Sequence, residues 1–101
     1  MICISPRELE IVEDILRECV PDCEVRVFGS RYKRTHKAYS DLDLAIVDRG
    51  GGKLSFRKLG ELKDAFEESD LPFRVDVVDY NAVSDAFRKI IDAGYETLPV
   101  R

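Results

Sequence analysis

Two aspartates one residue apart, Asp41 and Asp43, open a stretch, DLDLAIV, that otherwise reads as a buried strand rich in leucine and isoleucine. Unpaired charges in a core are strongly unfavourable, so carboxylates in such a strand need cations, hydrogen-bond donors or a solvent-facing cleft. Side chains alternate across a strand, which puts Asp41 and Asp43 on one face and Leu42, Leu44 and Ile46 on the other. A third acid, Asp76, lies in FRVDVVD, where Val75 and Val77 form the aliphatic face and Arg74, Asp76 and Val78 have the opposite parity. If these two strands are neighbours, three carboxylates converge on one sheet face and repel unless cations sit among them. Oxygen-only ligation selects hard Mg²⁺ or Mn²⁺ over zinc. The plainer reading makes Asp41 and Asp76 surface acids at strand ends; Asp48 and Asp79 read as turn residues.

The other half of a phosphate site precedes the acid pair. Gly29 follows the β-rich run EVRVF and allows close approach of the backbone to a ligand, while Ser30 offers an amide and a hydroxyl to an anion. A Gly-Ser dipeptide alone carries little. Gly-Ser, ten residues and Asp-x-Asp arises by chance in on the order of one chain in a thousand of this length. The ten-residue connection contains Arg31, Lys33, Arg34 and Lys37, with His36 among them and no acid through Lys37. Such a run is ordinarily a solvated face. Its place between Gly-Ser and the acid pair sets it apart from such a face.

The elements that must hold these residues are legible from periodicity and caps. Ser5, Pro6 and Glu8 spell a helix start with a capping box, and Leu9, Val12, Leu16 and Cys19 recur at helical spacing until Pro21. Strands are expected at 24–28, 41–47 and 73–79, with a glycine-rich loop closing the second. A helix over about 55–68 carries Phe56, Leu59, Leu62 and Phe66 on one face. A last helix over about 82–93 has Val83, Phe87, Ile90 and Ile91 as its apolar residues and Gly94 at its end. The order describes a small α/β (α+β) layer structure, in which the strand-helix-strand unit crosses over right-handedly and leaves the second and third strands parallel and adjacent. No segment is left over to roof the face bearing Asp41, Asp43 and Asp76, so a partner surface is expected to complete the site.

Length and composition bound the rest. A chain of 101 residues with 45% hydrophobic content has room for one domain, 1–101, with a modest core. There is no long apolar run and no signal-peptide pattern, which excludes a membrane span and points to the cytoplasm. Three cysteines, Cys3, Cys19 and Cys23, cannot all pair within one chain, and a single histidine leaves CVPDC short of a zinc site. A net charge of −4 argues against direct nucleic-acid binding.

GSRYKRTHKAYSDLDLAIVD resembles the signature of the DNA polymerase beta-like nucleotidyltransferase superfamily, and the layout of the whole chain is similar to its minimal nucleotidyltransferases (MNT proteins), many of them antitoxins encoded beside HEPN-domain toxins. The resemblance implies a polymerase beta-like fold with a small mixed sheet of about three strands flanked by helices. It implies that Gly29, Ser30 and Arg31 bind ATP or another nucleoside triphosphate. It further implies that Asp41 and Asp43 bridge two Mg²⁺ ions, replaceable by Mn²⁺, with Asp76 on the catalytic ion alone. The activity implied is transfer of AMP to a tyrosine of a HEPN toxin. Two alternatives stand beside it: a small-molecule nucleotidyltransferase of the aminoglycoside type, and a non-catalytic antitoxin that acts by complex formation.

Overall fold

The computed structural model describes residues 4–29, 31 and 40–98; Ser30, Lys33, Arg34, His36 and Lys37 lie outside the described residues. Helix α1, Pro6–Cys19, begins at the expected capping box: the Ser5 amide donates to Glu8 Oε1 at 2.8 Å and the Glu8 amide to Ser5 Oγ at 3.2 Å. Its Val12 and Leu16 are fully buried, and the helix ends one residue before Val20, whose amide donates to the Leu16 carbonyl. Strand β1, Cys23–Phe28, leads directly into Gly29, and β2 spans Leu42–Asp48. Helix α2, Phe56–Glu67, is capped by Ser55, and β3 spans Val75–Asp79. Helix α3 is Asp85–Asp92 and β4 is Glu96–Leu98.

The strands form one mixed sheet in the order β3-β2-β1-β4, with β1 antiparallel to both neighbours and β2 parallel to β3. The expected crossover through α2 therefore leaves β2 and β3 adjacent. One face of the sheet carries the main core: Leu42, Leu44 and Ile46 of β2, Val25 and Val27 of β1 and Val77 of β3 meet Val12 and Leu16 of α1 and Leu62 and Phe66 of α2. This is the face that parity assigned to the aliphatic residues.

Four details differ from the sequence reading. Strand β4 was not expected; three residues are too few to show alternation, and only pairing of Val25 with Leu98 and of Val27 with Glu96 makes them a strand. Helix α3 starts at Asp85, not near Ala82, because the Asp79 carbonyl accepts the Ala82 and Val83 amides in a turn and Ser84 then caps the helix. Phe56 is 95% exposed: the apolar stripe of α2 continues past the end of the core, where Leu54 packs in its place. Ile90 also faces outward, since Phe87 and Ile91, four apart, are the pair that meets the sheet.

The second face is not bare. Phe28, Ala45 and Ile91 form a smaller buried cluster with Val78, Tyr80, Val83, Phe87 and Tyr95 against it. Ala45 and Val78 share parity with Asp43 and Asp76, so α3 roofs part of the face expected to lack any cover. Arg26, on that face, stacks on the Tyr80 and Tyr95 rings and pairs with Glu24 and Asp92, while the Tyr80 hydroxyl donates to Asp92. These contacts pin α3 to β1. Replacing Leu44 with alanine should lower the unfolding free energy by about 2–5 kcal/mol, read from the urea midpoint, because the fully buried side chain sits where both core helices meet the sheet.

Candidate active site

The register of the sheet builds a row across its second face. Phe28 is the partner of Asp43 in the β1–β2 ladder, and Asp43 is the partner of Asp76 in the β2–β3 ladder. Directly paired residues project to the same side, so the Asp43 and Asp76 carboxylates share one surface with the Phe28 ring on the other flank. Asp41 lies two residues earlier on the same face, beside Arg74, whose carbonyl accepts the Leu42 amide at 2.9 Å. The three expected acids are thus brought to one place.

Gly29 belongs to the same place. Its φ is +77°, a left-handed conformation that side chains rarely adopt, and a Cβ built on it would overlap Asp43 Oδ2 and lie 3.2 Å from Asp43 Cγ. Glycine is required here on both counts: it turns the chain out of β1 and leaves room for the carboxylate.

Electrostatics mark Asp43 as the centre of the cluster. Burial, followed by the negative charges of Asp76 and Asp41, pushes its pKa up to about 6 from an ordinary 3.8. Among the described residues the cation paired with the group is Arg74, 3.8 Å from Asp41 Oδ2 and largely exposed. Parity had put Arg74 on this face, and its position opposite Asp41 was the signal for a role that the sequence reading did not assign.

Arg31 is held inside the fold. Its side chain is buried, donates from Nε and an η nitrogen to the Ser40 carbonyl at 3.1 and 3.0 Å, and lies 4.2 Å over the Phe73 ring. It ties the two ends of the ten-residue connection together, one residue short of Asp41. Ser30 lies outside the described residues. Asp48 and Asp79 are turn residues as read: Asp48 accepts the Gly50 amide, and Asp79, buried, accepts the Leu54 and Asn81 amides.

The chain matches the family described as polymerase beta, nucleotidyltransferase, over residues 22–97. It belongs to that family. A probable protein adenylyltransferase MntA of Haemophilus influenzae is 50% identical over 92 residues, which cover 91% of this chain and 79% of the relative. Among solved structures, a toxin-antitoxin crystal structure with AMP-PNP superposes with a TM-score of 0.74 at 23% identity, covering 92% of this chain and 73% of that one. A tri-AMPylated Shewanella oneidensis HEPN toxin in complex with MNT antitoxin gives 0.67 at 21% identity, covering 94% and 71%. These two likenesses establish the fold, the polymerase beta-like arrangement expected from the sequence.

Nucleotidyltransferases of this family generally use a divalent metal. The residues present suit one. The donors are all hard carboxylate oxygens, and the repulsion raising the Asp43 pKa is what a cation would relieve. Among the described residues no three acidic, histidine or cysteine side chains close around a single point. An open row fits ions that take their remaining ligands from substrate phosphates and water.

Because Asp43 binds its proton more tightly in the folded chain, stability without metal falls as pH rises from 3.8 to about 6, and the penalty is complete above that window. Asp43→Asn should therefore stabilise the metal-free protein by about 1–2 kcal/mol near neutral pH, after allowance for solvent screening at a half-exposed group. Below about pH 3.5 the gain should vanish. Thermal unfolding in chelator at the two pH values measures it.

Proposed function

We propose that this chain is a protein adenylyltransferase that moves AMP from ATP to a tyrosine hydroxyl of a HEPN-domain toxin, and acts as the antitoxin of that pair in the cytoplasm as a single domain. The observation that carries the reading is the pairing of Asp43 with Asp76 on adjacent parallel strands, with Asp41 on the same face and Gly29 packed against Asp43. Support for the acceptor comes from the 50% identical MntA and from the antitoxin complexes with the same fold. Cys19 and Cys23 are free thiols, and no described helix is long and apolar enough to cross a membrane.

In this proposal Asp41 and Asp43 would hold two Mg²⁺ ions, with Mn²⁺ able to substitute, and Asp76 would hold one of them. When bound, such ions make an acceptor hydroxyl more acidic and steady a departing pyrophosphate. The chain's own residues do the rest. Gly29 keeps the backbone close to the carboxylates, and Ser30 would offer an amide and a hydroxyl to the triphosphate. Arg31 contributes positive charge nearby and holds Ser40, and so the approach to Asp41, against Phe73. The acceptor hydroxyl gives up its proton to solvent, its oxygen bonds to the α-phosphorus as the bond to the bridging oxygen breaks, and pyrophosphate leaves.

Binding of ATP should be strengthened by Mg²⁺ or Mn²⁺, and Asp43→Asn should weaken that metal-dependent part by about tenfold or more, measured by titration calorimetry with and without metal. Equal affinity of the two proteins in metal would count against the site.

Incubation with a HEPN-domain toxin partner, ATP and Mg²⁺ should add one AMP mass or a few to the toxin. The Asp41→Asn, Asp43→Asn double variant should add none. Intact-protein mass spectrometry decides between this reading and neutralisation by binding alone, in which the double variant would still silence the toxin fully.

A further inference from the structure

The β2–β3 ladder begins with the Leu42 amide on the Arg74 carbonyl, 2.9 Å, and ends with the Tyr80 amide on the Ile46 carbonyl, 3.0 Å. In a parallel ladder these two bonds set the parity: residues 74, 76, 78 and 80 direct their backbone groups to β2. The amides and carbonyls of Val75 and Val77 therefore point off the edge of the sheet, and β3 is an edge strand. Among the described residues neither has a main-chain partner on that side.

Alongside this edge runs a cavity of about 470 Å³, between α2 and β3. Phe66 and Phe73 give it an apolar wall, Lys63 and Glu67 of α2 stand along it, and Val75 to Val77 form its other side. A strand edge with open backbone groups beside a helix is the setting in which extended peptides add to a sheet, the main chain giving affinity and pockets for alternate side chains giving specificity.

Resting on the adenylyltransferase reading above, we infer that the free edge of β3 and the α2–β3 cavity receive an extended segment of the acceptor protein, added as a further strand, with its hydroxyl residue in register with Asp76. A segment hydrogen-bonded to Val75 and Val77 puts the residue between them opposite Asp76, on the carboxylate face and at the ordinary strand spacing of roughly 5 Å. It thereby extends the row Phe28, Asp43, Asp76 by one place. A tyrosine there is long enough to lie across Asp76 toward Asp43; a serine is shorter. The residues on either side of the hydroxyl point the other way, toward Phe66 and Phe73, so the segment should read apolar, hydroxyl, apolar. Nucleotide and acceptor then approach Asp43 from opposite flanks, the first from Gly29 on β1 and the second from β3.

The test uses the full chain and the full HEPN toxin. Hydrogen exchange at the Val75 and Val77 amides should slow by about tenfold or more when the toxin is added, and should not change with ATP and Mg²⁺ alone. Glu67→Trp, an exposed helix position whose new side chain fills the cavity, should raise the KM for the toxin by about tenfold while leaving ATP affinity unchanged. Protection of the two amides by ATP alone, or loss of ATP affinity in Glu67→Trp, would assign the cavity to the nucleotide and overturn the inference. So would toxin transfer at the wild-type KM in Glu67→Trp, or protection that grows with the concentration of this chain alone, the mark of self-association. If the wild type adds no AMP to the toxin, the adenylyltransferase reading itself fails, an outcome distinct from transfer that ignores the edge.

Discussion

Asp43 and Asp76 face each other as register partners on adjacent strands, and much of the molecule can be understood as the means of keeping that repulsive pair in place. The sheet's other face supplies the force. Leu42, Leu44, Ile46 and Val77 are buried against α1 and α2, and a slip of one residue in β2 or β3 would exchange those aliphatic side chains for carboxylates. Burying apolar side chains of this size is worth roughly 1.5–3 kcal/mol each, so four of them outweigh the repulsion between half-exposed acids in high dielectric. The acids stand together because the core will not accept them.

The second face is divided by function. Toward α3 it is closed by Phe28, Ala45, Ile91 and Phe87, with the Phe28 and Phe87 rings edge to face at 6.0 Å. Toward Asp41 it is open, with Arg74 as a loosely placed cation. Asp43 sits at the boundary between these halves, flanked by Phe28 and Gly29, and its raised pKa follows from burial there and from the field of both other carboxylates. The closed half makes the site partly desolvated without requiring a large lid.

Gly29 and Arg31 organise the approach from β1. Glycine at φ +77° turns the chain while yielding its Cβ space to Asp43, and Arg31 fastens the far end of the connection through the Ser40 carbonyl and the Phe73 ring. Phe73 also lies in the core and lines the cavity by β3. The β1 exit, the start of β2 and the edge of β3 therefore meet at one ring.

Alternation and capping residues carried a great deal before any coordinates. Ser5 with Glu8, the Leu42/Leu44/Ile46 and Val75/Val77 parities, and the Gly-Ser to Asp-x-Asp spacing are local patterns, and local chemistry enforces them. They were enough to predict every element but β4 and the shared face of the acids, and the resemblance of the Gly-Ser to Asp-x-Asp motif pointed to the family. What required the folded chain depends on contacts between distant segments. Leu98 becomes a strand only beside Val25, Phe56 is left in solvent because the core ends below it, and Arg31 turns inward because Phe73 and Ser40 meet there. The elevated Asp43 pKa belongs to the same class, since it arises first from burial in the folded chain and then from Asp76, thirty-three positions away, which only the β2–β3 ladder brings alongside.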